Sequence, residues 1–175
     1  MRTKNRKFIN SLLPLCGFGI LILIVSVVLN FIPDGADISS REAILRGMQS
    51  GQEWSICEES LLEDHILANV VSEKMDGLAV FRPVGDGYTC SAFETVEKGD
   101  VVRINTIIND GRYDCFWLNQ EDLARLEVRY NDAAEPMKFL CENGGTFWAS
   151  APNEAYSIRV TYFDSQEKIA AEYQG

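Results

Sequence analysis

The 175-residue chain has one histidine, five prolines and no acidic residue before Asp34. The lone His65 leaves no histidine-rich metal site, and catalysis through it would need a nucleophile or carboxylate supplied by the fold. Few prolines and 46% apolar residues argue against a disordered acidic tail. There is no phosphate-binding glycine loop, no G-x-S-x-G, no C-x-x-C and no EF-hand ligand spacing, so no motif asks for a cofactor or metal. The body has no N-x-S/T sequon, which is compatible with a bacterial source. Basic residues are scarce where they would be needed to hold nucleic acid. From Pro33 onward the chain has 12 of them against all 26 acids, an excess of 14 negative charges, which excludes a phosphate-backbone reader.

The N-terminus holds the opposite charge. Arg2, Lys4, Arg6 and Lys7 precede a charge-free run from Phe8 to Ile32. A bilayer core needs roughly 20 apolar residues as a helix, and this run is long enough. Basic residues before it and acidic residues after it predict a cytoplasmic tail over 1–7, a transmembrane helix over 8–32 and an extracytoplasmic body over 33–175 in the plasma membrane. The rival is a cleaved signal peptide. That apolar core usually runs about 7–15 residues and ends at a small-x-small site. Here the core is longer and Asp34-Gly35-Ala36 is a poor site, which favours an uncleaved signal anchor. Cys16 follows Leu15 instead of a small residue, so it reads as an apolar thiol rather than a lipidation site.

Beyond the membrane the pattern predicts an α+β body. Ser39-Ser40-Arg41-Glu42 looks like an N-cap, followed by a short juxtamembrane helix ending near Gly51 within a linker region over 33–57. From Glu58 to Lys74, apolar residues at 61, 62, 66, 67, 70, 71 and 75 follow a 3.6-residue stripe and predict a second helix stopped by Asp76-Gly77. After Gly77 the period is two. Strands are expected at 78–81, 88–96, 101–108 and 113–118, an antiparallel meander joined by Gly-containing turns. One helical turn is expected at 119–122, then strands at 123–130, 137–141, 146–149, 156–163 and 169–173. The region 58–175 thus reads as an antiparallel β-rich domain, with an immunoglobulin-like sandwich in the C-terminal half of the body.

The order of a basic tail, one span, a helix, Gly77-Leu78-Ala79-Val80-Phe81-Arg82-Pro83-Val84 and the alternating Tyr156 to Asp164 resembles small uncharacterised single-pass membrane-anchored proteins of Gram-positive bacteria. The resemblance implies a location and carries no catalytic residues.

Candidate site residues are few. Cys57, Cys90, Cys115 and Cys141 are an even number in an exported segment and predict two disulfides with open pairing, each contributing about 2–4 kcal/mol. Four reduced core thiols are the competing reading. Phe116-Trp117 and Phe147-Trp148 point neighbours to opposite faces of a strand, making Trp117 and Trp148 candidate binding aromatics, with core packing as the competing role. Carboxylate pairs at Glu58-Glu59, Glu63-Asp64 and Glu121-Asp122 read as solvated surface.

These features favour a non-enzymatic membrane protein whose outer domain serves protein interaction or envelope sensing. An anchored or secreted hydrolase of envelope polymers using carboxylates, or a small accessory subunit of a membrane complex, are the alternatives. Mass spectrometry of the mature protein is expected to find the N-terminus uncut; a chain starting near Asp37 would refute the anchor.

Overall fold

The structure is a computed structural model describing residues 35–131, 133–141, 145–152 and 154–175. The predicted tail and transmembrane helix, with Cys16, lie outside the described residues. Among those described, no helix is long and apolar enough to cross a membrane. They form one helix, α1 (Ile38–Met48), and eleven strands: β1 (Ser55–Leu62), β2 (His65–Val71), β3 (Met75–Val84), β4 (Gly87–Glu97), β5 (Val102–Ile108), β6 (Gly111–Trp117), β7 (Leu123–Tyr130), β8 (Met137–Leu140), β9 (Phe147–Ser150), β10 (Ile158–Asp164) and β11 (Ile169–Gln174).

The strands make three antiparallel sheets. The first has the order β1-β2-β3-β4, the second β5-β6-β9 and the third β11-β10-β7-β8. They stack as layers with the second sheet in the middle. Leu67, Leu78 and Val80 of the first sheet meet Val102, Ile104, Cys115 and Trp117 of the second. On the other face of the middle sheet, Phe116 meets Leu126, Val128, Val160 and Tyr162 of the third. The outer side of the first sheet is covered by α1, where Leu45 packs with Trp54, Ala68, Val70, Ala79 and Phe81.

This layering explains the principal correction. The helix predicted over Glu58–Lys74 is instead the hairpin β1–β2, with Leu62 opposite His65 across Glu63-Asp64. Strand β2 is buried on both faces: Leu67 points to the middle sheet while Ala68 and Val70 point to α1. A strand buried on both sides loses its period-two signal, and its short apolar run then looks helical. Glu63 makes the turn at φ 56, a conformation uncommon for a non-glycine residue. Asp76 and Gly77, expected to stop a helix, lie inside β3. A Cβ on Gly77 would lie 3.0 Å from the Glu94 carbonyl oxygen, so the close approach of β4 favours glycine there.

Three smaller expectations also change. Asp37, rather than Ser39 or Ser40, caps α1, its carboxylate accepting from the Ser40 N–H at 2.8 Å. The Glu97-to-Asp100 turn joins two different sheets instead of closing a hairpin, which ends the meander after β4. Residues 119–122 form a turn without a helix. The other strands lie close to where alternation placed them, and Asn109-Asp110, both at positive φ, form the two-residue hairpin turn expected there.

Helix α1 is fastened to the first sheet by Arg41, which is 4% exposed. Its guanidinium forks onto Glu59 of β1, donates to the carbonyls of Gly35 and Ala36, and lies 5.9 Å from the Phe81 ring centroid. Phe81 itself is fully buried. Replacing Phe81 with alanine is expected to cost about 3–5 kcal/mol by cavity formation. Urea unfolding of the full chain in detergent measures this. Leu140→Ala, at a position 76% exposed, should shift stability by no more than about 0.5 kcal/mol.

Candidate functional site

The four candidate cysteines are free thiols. The two predicted disulfides are therefore corrected, and the reason is topological. Cys57 and Cys90 lie on β1 and β4, the opposite edges of the first sheet; Cys115 is in the middle sheet, and Cys141 follows β8 of the third. Burial pushes the Cys90 thiol up to about 11 and the Cys115 thiol up to about 12, which leaves little thiolate at neutral pH.

Trp117 is 2% exposed and packs between the first and middle sheets, whereas Trp148 on edge strand β9 is 36% exposed. The structure does not bring the two together as one aromatic surface, because they belong to different environments. His65 bonds to the adjacent Asp64 at 2.6 Å in the β1–β2 turn. Among the described residues no hydroxyl or thiol bonds to its ring. The paired acids are engaged separately. Glu58 accepts from Asn69, Glu59 from Arg41, and Glu63 from Tyr113 and Asn109. Those two bonds hold the Glu63 carboxyl below the usual carboxylate range. Among the described residues no group of three His, Cys, Asp or Glu side chains could hold a metal ion.

Two features were not singled out from the sequence. The first is Asp114, fully buried between the middle and third sheets. Its Oδ1 accepts from Arg103 Nη2 at 2.7 Å, Arg103 Nε at 3.1 Å and Asn105 Nδ2 at 2.9 Å; its Oδ2 accepts from the Tyr130 hydroxyl at 3.1 Å. Burial, and then the Asp114 charge, raise the Tyr130 hydroxyl well above its ordinary value. A hollow of about 160 Å³ opens beside this network, lined by Arg112, Tyr156 and Ser157 among others. Its one acidic side chain is Asp114, already neutralised by Arg103.

The second is the outer face of the third sheet. Leu126, Val128, Val160 and Tyr162 point inward, so their strand neighbours point outward. Cross-strand register arranges these in rows. Arg129 lies opposite Arg159, which lies opposite Gln174. In the next row are Lys138, Glu127, Thr161 and Glu172. Glu127 is engaged by Arg125 and Lys138, and Glu172 accepts from the Thr161 hydroxyl. Arg125 stacks 4.1 Å from the Phe163 ring centroid. Two hollows of about 160 and 240 Å³ flank the arginine row. The only sequence signal for this face was alternation, Arg125-x-Glu127-x-Arg129 and Arg159-x-Thr161-x-Phe163; strand register was needed to join the halves.

Fold and surface together define a layered antiparallel β-protein with a cationic row on its outermost sheet. No family model, curated protein or solved structure matches the chain.

Asp114→Ala strands the Arg103 guanidinium and the Tyr130 hydroxyl in a buried setting. It is expected to cost about 3 kcal/mol, and Tyr130→Phe, which removes one neutral donor, about 1 kcal/mol. Denaturant midpoints check both; equal, small losses would show that the network does not hold the two sheets together.

Proposed function

We propose that the chain is a single-pass membrane protein that presents residues 33–175 outside the cytoplasm as a binding module. The charge-free run over 8–32 behind a basic tail supports the anchoring, by length and by charge asymmetry. The observation that carries the binding role is the strand order. β5-β6-β9 packed on β11-β10-β7-β8 is compatible with an immunoglobulin-like reading, with the first, second and fifth strands opposing the third, sixth and seventh, and differs from the constant-type order in that the fourth strand, β8, joins the third sheet. The outer face of the third sheet is open to solvent, where a partner can reach it. Here that face carries Arg129, Arg159, Lys138 and Phe163 on a body that is otherwise strongly acidic. The hollows beside it are smaller than the usual small-molecule cavity of about 300–1,000 Å³, which suits recognition of a protruding group.

A photo-crosslinking residue placed at Lys138, on this face, is expected to give a discrete adduct in the native membrane. The same probe at Lys98, in the turn after β4, should give none. Protease added to intact cells should remove the body and leave the tail. Equal labelling at both positions would refute the recognition face, and a protected body would refute the topology.

A further inference from the structure

We propose that the Arg129–Arg159 pair is an oxyanion site that takes a phosphate group. The pair is a cross-strand neighbour pair, one guanidinium from β7 and one from β10. Directly opposed side chains of an antiparallel pair have Cβ atoms about 4.5–5.5 Å apart, and like charges so placed destabilise a sheet. Neither arginine has an ion-pair partner among the described residues, whereas Arg41, Arg46 and Arg103 each have one and Arg125 has two. Glu127 and Glu172 of the neighbouring row line the smaller hollow with both arginines, but Glu127 is ion-paired to Arg125 and Lys138, and Glu172 accepts from the neutral Thr161 hydroxyl. Among the described residues, then, no carboxylate forms an ion pair with either arginine.

The larger hollow, about 240 Å³, is lined by Arg129, Asn131, Ser157, Ile158, Arg159 and Gln174, with no acidic side chain. In a body with more than two acids per base, such a lining is selective by charge alone. Its shape is held locally. Asn131, at φ 53, accepts the backbone N–H groups of Tyr156 and Ser157 and so fixes the chain where it enters β10. The Ser157 hydroxyl and Gln174 amide add neutral donors to the two guanidinium forks. Guanidinium forks bind phosphate or carboxylate oxygens bidentately. Two full positive charges match a dianion better than a monoanion, and a tetrahedral group offers oxygens to both strands at once. The ligand class is thus a phosphate-bearing group, entering from solvent onto the exposed side of the sheet.

The site rests on the reading of this face as the recognition surface, and it adds the chemistry recognised. The test is a titration of the full chain in nonionic detergent with inorganic phosphate, at ionic strength held constant with chloride. The thermal midpoint should rise with phosphate. Arg159→Gln should raise the midpoint in phosphate-free buffer, by removing the repulsion, and weaken phosphate binding about tenfold, the loss of one charge-assisted contact. Lys168→Gln, in the β10–β11 turn, should behave as the parent. No phosphate-dependent shift, or the same shift in Arg159→Gln, would overturn the site; an equal response to acetate would overturn its preference for a dianion. A failed titration with persistent crosslinking at Lys138 removes the phosphate site and leaves the binding module standing. Phosphate binding without any crosslink does the reverse.

Discussion

The centre of the middle sheet is covered on both faces. Val102, Ile104, Cys115 and Trp117 are buried against the first sheet, while Phe116 is buried against the third. Everything else in the architecture follows from that constraint. A stretch of strand covered on both sides must consist of successive residues that are apolar or internally paired, which describes Asp114-Cys115-Phe116-Trp117. The outer sheets then divide. The first buries its far side under α1, and the third leaves its far side to water. Strand β7 of the third sheet accordingly shows the apolar-in, polar-out alternation of a half-exposed strand.

Where a polar group does enter the stack, it ties two layers together. Asp114 takes three donors from its own sheet and one from Tyr130 across the interface. On the other side of the middle sheet, buried Asp76 of β3 accepts from Asn119 and from the Gly99 N–H, at the connections that enter and leave the second sheet. Asn69 donates to Thr146 just ahead of β9. These bonds contribute registry between sheets that apolar contacts alone do not specify, since hydrophobic packing is non-directional.

The same constraint decides what could be read from the sequence. Strands β7, β10 and β11, half-buried in the third sheet, were legible from alternation and turn residues alone. Strands β1 and β2 were not, because two-sided burial gave β2 an apolar run interrupted only by buried Asn69, and Glu63 is an unexpected residue for a left-handed turn. The side chain of Glu63 is held by Tyr113 and Asn109 from the β5–β6 hairpin, a tertiary contact that no local propensity reports. Cysteine number suggested bridges, but pairing depends on which sheets the strands join, and the chain distributes its thiols among all three. Candidate surface residues fared likewise. Trp148 lies at the surface, whereas Trp117 is part of the middle layer. Arg129 and Arg159 are thirty residues apart in the chain and meet only through register.

The clasp made by Arg41 has a mechanical consequence. Its guanidinium grips the carbonyls of Gly35 and Ala36, so the folded body begins at residue 35. Only Pro33 and Asp34 separate that point from the end of the apolar run, a reach of about 7 Å when extended. With a span over 8–32, as proposed, only two residues would lie between the bilayer and the part of the chain that Arg41 grips. Stacked sheets are about 10 Å apart, so the arginine row would stand about 20 Å from the layer that carries the tether. The stack thus separates the arginine row from the tethered end by the thickness of its layers.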